Sequence, residues 1–252
     1  MSASEAKQDG GVETPVALVT GAGTGIGAAC ARRLAADGFR VAVHYRSSEA
    51  AALAIASELP GAFAVRADLA VPAEIEALVA TVADTAGRLD VLVNNAGLNV
   101  NAPTSFMKLA DYDAVAATAR GTWYLTKLVL RKFMLRKRRG RIVNISSVVG
   151  STGNPGQIPY TMVKAGLDAL TKSLAKEVAG TGILVNSVAP GFVDTAMTSE
   201  LPAEIRDQVL ALVPLGRIGT PDEVADVVSF LASRGTYVHG SVLHVNGGMY
   251  GG

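Results

Sequence analysis

Val16-Ala17-Leu18-Val19-Thr20-Gly21-Ala22-Gly23-Thr24-Gly25-Ile26-Gly27 decides how the rest of the chain is read. Its first residues are apolar and partly β-branched, as a short buried strand requires. An alanine-rich stretch with helical patterning then runs from Gly25 to Asp37. Between them the turn is built of small residues. Such a turn lets backbone N–H groups and the positive end of a helix face a pyrophosphate. Gly21, Gly23, Thr24, Gly25, Ile26 and Gly27 are therefore candidate dinucleotide contacts. A turn that serves only packing is the alternative, and its position after the first strand argues against that.

Outward from this turn the strand-helix alternation continues. Strands are predicted at Arg40 to Tyr45, Ala62 to Val65, Leu89 to Val93, Arg141 to Ile145, Ile183 to Val188 and Val242 to Val245. Helices are predicted at Glu49 to Leu59, Pro72 to Ala86, Tyr112 to Arg136, Pro159 to Ala179 and Pro221 to Ser233. The strands are apolar on both faces. Repeated right-handed strand-helix units give a Rossmann-like, doubly wound α/β fold: about seven parallel strands, helices on both faces, and ligands at the carboxyl ends of the strands. One domain over residues 15–252 suits 252 residues that are 49% hydrophobic. Residues 1–14 are polar, lack the apolar core of a signal peptide, and read as a flexible leader.

Charge excludes some partners. Twenty-three basic against 22 acidic residues leave a net +1, with no global pull toward nucleic acid or an anionic membrane. No apolar run is long enough to span a bilayer. The single cysteine, Cys30, lies in the alanine-rich helix and reads as a buried structural thiol suited to a reducing compartment. No metal-binding cluster is expected.

At the end of the second predicted strand, His44-Tyr45-Arg46-Ser47-Ser48 carries no carboxylate. A carboxylate there would bind a ribose 2′-hydroxyl and repel a 2′-phosphate. Arg46, flanked by the hydroxyls of Tyr45 and Ser47, instead suits the extra phosphate of NADPH. A solvated loop charge is the plainer reading. Farther along, Tyr160 and Lys164 lie four residues apart on a predicted helix, thirteen positions beyond Ser147. A tyrosine that donates a proton near neutral pH needs its pKa lowered, and a lysine one turn away can do this. Each of the three residues alone has a structural explanation, as a cap or a surface pair.

The glycine turn, Asn94-Asn95-Ala96-Gly97, Ser147, Tyr160-x-x-x-Lys164 and Pro190-Gly191 stand in the order found in the short-chain dehydrogenases/reductases, and the chain resembles that family over nearly its whole length. Within it, residues 141–150 and the ending His244-Val245-Asn246-Gly247-Gly248-Met249-Tyr250 are similar to the 3-oxoacyl-[acyl-carrier-protein] reductases (β-ketoacyl-ACP reductases) of fatty-acid synthesis. The resemblance implies a cytoplasmic, homotetrameric enzyme that reduces a 3-oxoacyl thioester on acyl carrier protein with NADPH. It implies that Tyr160 protonates the carbonyl oxygen, Ser147 hydrogen-bonds it, and Lys164 serves both Tyr160 and the cofactor ribose. It adds Asp68 and Leu69 at the adenine, Asn95, Ala96 and Gly97 below the ribose, and Pro190, Gly191, Val193 and Thr195 near the nicotinamide and phosphates. Asn94 is as readily a bridge between strand ends. A dehydrogenase of a small alcohol, sugar or steroid stays open, as does a weakly catalytic nucleotide-binding subunit.

Three further segments carry expectations. The family usually has an asparagine in the long helix, holding a water that relays protons to the lysine; Thr118 stands there, with a shorter side chain and only a hydroxyl. Arg131 to Arg141 carries seven cations and no anion. It invites an acidic carrier protein, or is simply a solvated helix end. Thr195 to Val213, with Met197, Leu201, Ile205 and Leu210, reads as a helical flap over the substrate or as an ordinary surface helix pair.

Overall fold

The computed structural model describes residues 13–195 and 203–251. Seven strands form one sheet: β1 (Val16–Val19), β2 (Arg40–Tyr45), β3 (Phe63–Arg66), β4 (Val91–Asn94), β5 (Gly140–Ile145), β6 (Ile183–Pro190) and β7 (Val242–Val245). Their order is β3-β2-β1-β4-β5-β6-β7, and every neighbouring pair is parallel. The chain moves outward from β1 to β3 and then returns to lay β4 on the other side of β1. That reversal opens a crevice at the carboxyl ends of β1 and β4. The doubly wound α/β architecture expected from the sequence is thus present.

Burial on both faces explains why these strands lack polar alternation. In β1, Ala17 and Val19 point into one core layer with Leu34 of α1 (Gly25–Ala36), Ile55 of α2 (Glu49–Glu58) and Val228 of the C-terminal helix Pro221–Ser233. Val16 and Leu18 point the other way, toward Leu78 of α3 (Pro72–Ala86) and Leu125 of α4 (Leu109–Val129). Cys30 is fully buried in the first layer, and burial pushes its thiol up to about 12. It is a packing residue, not a reactive one.

Three elements differ from the sequence reading. The long helix, expected to continue to Arg136, ends as α-helix at Val129 and passes into a π-helical turn, Leu130–Met134. The wider turn lets Leu130, Phe133 and Met134 all face inward while Arg131 and Lys132 stay exposed. A short helix, α5 (Val149–Thr152), follows Ser147 and was not anticipated. It leads to α6 (Ile158–Glu177), which carries Tyr160 and Lys164. Of the expected flap, α7 (Ala203–Leu210) is helical, while Met197 and Leu201 lie outside the described residues. Helix α8 (Pro221–Ser233) begins with a capping box between Thr220 and Glu223. Most of the expected leader also lies outside the described residues; Glu13, at its end, pairs with Arg88 at 2.8 Å. Among the described residues no helix is long and apolar enough to cross a membrane.

Candidate active site

A cleft of about 1140 Å³ runs along the carboxyl ends of the strands, from Arg46 at the end of β2 to Ser147, Tyr160 and Lys164. Its first wall is the turn between β1 and α1. Gly25 opens the helix at φ +54°, a left-handed conformation that favours glycine. The N-cap, Thr24, makes no side-chain hydrogen bond to the helix, so the first-turn amides remain open toward the cleft. A Cβ on Gly27 would come within 2.2 Å of the Gly21 carbonyl oxygen, so Gly27 holds the turn against the helix without lining the cleft. Gly23 likewise packs on Ser48 and is not in the wall. The other four residues of the predicted turn line it.

Polar side chains lock this turn to its neighbours. Thr20 Oγ1 accepts from the backbone N–H groups of Asn95 at 2.9 Å and Ala96 at 3.0 Å. The Asn95 amide donates back to the Thr20 carbonyl oxygen at 2.9 Å. Less expected from sequence is His44, whose ring accepts the Gly21 N–H at Nδ1 (3.1 Å) and reaches the Ala67 carbonyl through Nε2 (3.0 Å). Those two bonds require the neutral ring protonated at Nε2. Burial pulls the His44 pKa down to about 4, against weaker upward pulls from the Ala67 hydrogen bond and Asp68. His44 was read only as part of a strand end, and no sequence signal marked it as the clasp between the glycine turn and the loop after β3.

At the same end, Arg46 is exposed, lines the cleft, and has no ion pair among the described residues. Ser47 and Asp68 also line it, and Asp68 Oδ1 accepts from the Ala70 N–H at 2.8 Å. Tyr45 is in the wall, but its hydroxyl donates to Glu49 at 3.0 Å and its ring belongs to the core. Leu69, Asn95, Ala96 and Gly97 line the middle of the cleft, and Pro190, Gly191, Val193 and Thr195 line its far side. Asn94 does not line it. Its amide donates to Thr126 at 3.0 Å and to Asn144 at 2.8 Å, which settles it as a bridge between β4, β5 and α4. Open helix amides, an unpaired arginine after β2 and a cleft of this volume fit a nicotinamide dinucleotide.

At the other end, Ser147 follows β5 and Tyr160 lies in the first turn of α6, so their hydroxyls meet across the cleft. Burial raises the Tyr160 pKa, and the hydrogen bond from Ser147 lowers it in part. This corrects the expectation of a phenol already lowered by Lys164. The Lys164 ammonium donates instead to the Ile145 carbonyl oxygen at 2.8 Å, with Nζ 5.3 Å from the centre of the Tyr160 ring. Lys164 is itself 4% exposed, and burial pulls its pKa down to about 8 while Asp168, one turn on, pushes upward. Thr118 reaches the cleft wall, but its hydroxyl donates to the Val115 carbonyl of its own helix at 2.7 Å. Only its lone pairs remain for a water or ligand.

The basic run is elsewhere. Arg138 bonds the Gly180 carbonyl, Arg139 pairs with Asp90, and the Arg141 N–H at the start of β5 bonds the Asp90 carbonyl, all at the amino-terminal end of the parallel strands. The cleft lies in the loops that follow them, about 20 Å away at roughly 3.3 Å per strand residue.

A sequence family described as enoyl-(acyl carrier protein) reductase matches residues 21–250. The 3-oxoacyl-[acyl-carrier-protein] reductase FabG of Staphylococcus aureus is 44% identical over 243 residues, covering 94% of this chain and 98% of its own. The 3-oxoacyl-[acyl-carrier-protein] reductase of Synechocystis is 46% identical over 241 residues, covering 93% of this chain and 96% of its own. FabG of Aquifex aeolicus is 45% identical over 242 residues, covering 93% and 97%. Sheet order, glycine turn and the Ser147, Tyr160, Lys164 cluster agree with these matches, and the chain belongs to this family, within the short-chain dehydrogenases/reductases.

Proposed function

We propose that this protein reduces the 3-oxo group of an acyl thioester on acyl carrier protein to the 3-hydroxy form, with NADPH, in the cytoplasm, within fatty-acid or polyketide-like synthesis. The observation that carries the reading is the pair of hydroxyls, Ser147 and Tyr160, facing one point of the cleft whose other end presents Arg46. The bound cofactor supplies the hydride. Tyr160 Oη donates its proton to the substrate oxygen, and Ser147 Oγ holds that oxygen with a second hydrogen bond as negative charge develops. Lys164 supplies a buried positive charge one turn from Tyr160, and its bond to Ile145 fixes where that charge sits. Arg46 and Ser47 receive the 2′-phosphate, the turn from Gly21 to Gly27 the pyrophosphate, and Asp68 with Leu69 the adenine.

Two donors meeting on one oxygen suit a ketone, and the curated relatives named above are 3-oxoacyl reductases. The acyl carrier protein is the proposed partner. Because the basic run sits at the opposite end of the sheet, a carrier docked on it would serve the cleft of a neighbouring subunit, consistent with a homotetramer. Cofactor oxidation with acetoacetyl-coenzyme A, crotonyl-coenzyme A and a steroid ketone tests the reading. Turnover of the first alone, at least about tenfold better with NADPH than NADH, is expected from one charge-assisted phosphate contact. Preference for crotonyl-coenzyme A or the steroid overturns it.

A further inference from the structure

Helix α6 presses one stripe of side chains against the sheet and α4: Val163, Lys164, Leu167, Asp168, Thr171 and Ala175. Two of them are ionisable and both are buried, Lys164 at 4% exposure and Asp168 at 7%. Four residues apart, they share one helix face. Helical side chains lean toward the N-terminus, which sets the Asp168 carboxylate over Lys164, and Lys164 over Tyr160. Hydride and proton transfer use the lysine and give the aspartate no role. Asp168 Oδ1 is closed to solvent and accepts from no donor among the described residues.

A carboxylate oxygen that neither water nor a donor reaches is costly to bury unless a positive charge lies near. Lys164 is the cation buried with it; Lys172 and Lys176, farther along α6, are exposed. The need is mutual, because what else faces Lys164 is uncharged. The end of β5 offers the Ile145 carbonyl, and a Cβ added to Gly97, after β4, would lie 3.6 Å from Lys164 Nζ. Helix α5 brings Gly150 against the Lys164 backbone, and neither α5 nor β6 contains a charged residue. Arg141 stands at the opposite end of β5. On α4, Arg120 bonds the Ala70 carbonyl, Lys127 lies over the Trp123 ring, and Asp111 and Asp113 stand in the first two turns. Burial lowers the Lys164 pKa to about 8, and Asp168 is the charge that opposes the fall. We propose that Asp168 is a positioning residue for the reaction: its carboxylate, acting through space from the next helical turn, keeps Lys164 cationic beside Tyr160. The ammonium's hydrogen bond goes to Ile145, so what Asp168 contributes is charge. The inference rests on Tyr160 and Lys164 as the reacting pair.

The test is the pH dependence of kcat/KM at saturating NADPH, read with acetoacetyl-coenzyme A or with the ketone reduced in its place, for wild type, Asp168→Asn and Lys164→Met. Wild type should lose rate above about pH 8, as Lys164 loses its proton. In Asp168→Asn this alkaline limb should move down by at least about one pH unit, so that the ratio of kcat/KM at about pH 8.5 to that at about pH 6.5 falls at least about fivefold. A folded Asp168→Asn whose limb stays at the wild-type pH, whatever its overall rate, overturns the proposal, as does a wild type with no alkaline limb. Where Asn at this buried site prevents folding, Asp168→Leu removes the carboxylate together with the need for a donor and gives the same readout. Lys164→Met separates the two readings. If it keeps turnover, the reacting pair falls and the role of Asp168 with it. If it abolishes turnover while the Asp168 variants keep the wild-type limb, only the role of Asp168 falls.

Discussion

His44 spans the glycine turn and the loop after β3, and its role has a pH signature. Its folded pKa of about 4 lies below the ordinary 6.5, so the unfolded chain binds a proton more readily. Stability from His44 is therefore complete above about pH 6.5 and is lost as pH falls toward 4, by roughly 3 kcal/mol in all. Urea unfolding between pH 7.5 and 4.5 should show that loss, and His44→Gln should show a correspondingly shallower slope. Arg46 makes the second prediction at this scale. Arg46→Ala should raise KM for NADPH at least about tenfold and leave KM for NADH within about twofold; equal effects on both would remove it from the phosphate site. The proposed catalytic residues and Arg46 could be picked out in the sequence because the chemistry proposed for them needs particular side chains at particular spacings. His44 could not, because its significance is a set of long-range partners: it is bonded to residues 23 positions away on either side. The direction of the Tyr160 shift was also misread, since spacing reports that Lys164 is near but not that the phenol itself is buried.

Among the elements, α4 has the closest fit to the dinucleotide end. A Cβ on Gly121 would lie 2.1 Å from the carbonyl oxygen of Leu69, in the loop that also carries Asp68. Gly121→Ala must therefore push α4 and that loop apart. It should cost roughly 1–3 kcal/mol of stability and weaken NADPH binding, read by thermal unfolding and cofactor titration; an unchanged Kd would mean the loop adapts without moving Asp68. The strand-helix alternation was readable because both faces of the sheet are buried and each strand is a continuous apolar run. The π-helical turn at Leu130–Met134 was hidden, since its residues keep a helical pattern of apolar and basic positions. What widens the turn is packing: Met134 lies against Gly140 so closely that a Cβ there would come within 2.5 Å of the Met134 sulfur.

For the whole molecule, the sheet separates two segments that the sequence places near each other, the basic run and Ser147. Arg138 and Arg139 are committed to Gly180 and Asp90, whereas Arg136 and Lys137 are exposed cations without ion pairs among the described residues. If the carrier docks there, reversing both to Glu should raise KM for the carrier-bound substrate about tenfold at low salt, fading as salt rises. KM for an N-acetylcysteamine thioester should stay the same; a matching rise would show damage to the fold instead. On α4, Leu125 and Val129 are core residues while Trp123 is half exposed, so of these three only Trp123 is free for contact between subunits. The account as a whole turns on Tyr160 as proton donor in a reductase. The decisive measurement is NADPH oxidation with an acetoacetyl thioester by wild type and Tyr160→Phe, with NADPH affinity measured in both. The account predicts turnover that falls about a thousandfold in the variant while NADPH affinity is retained. Undiminished turnover in Tyr160→Phe would contradict it.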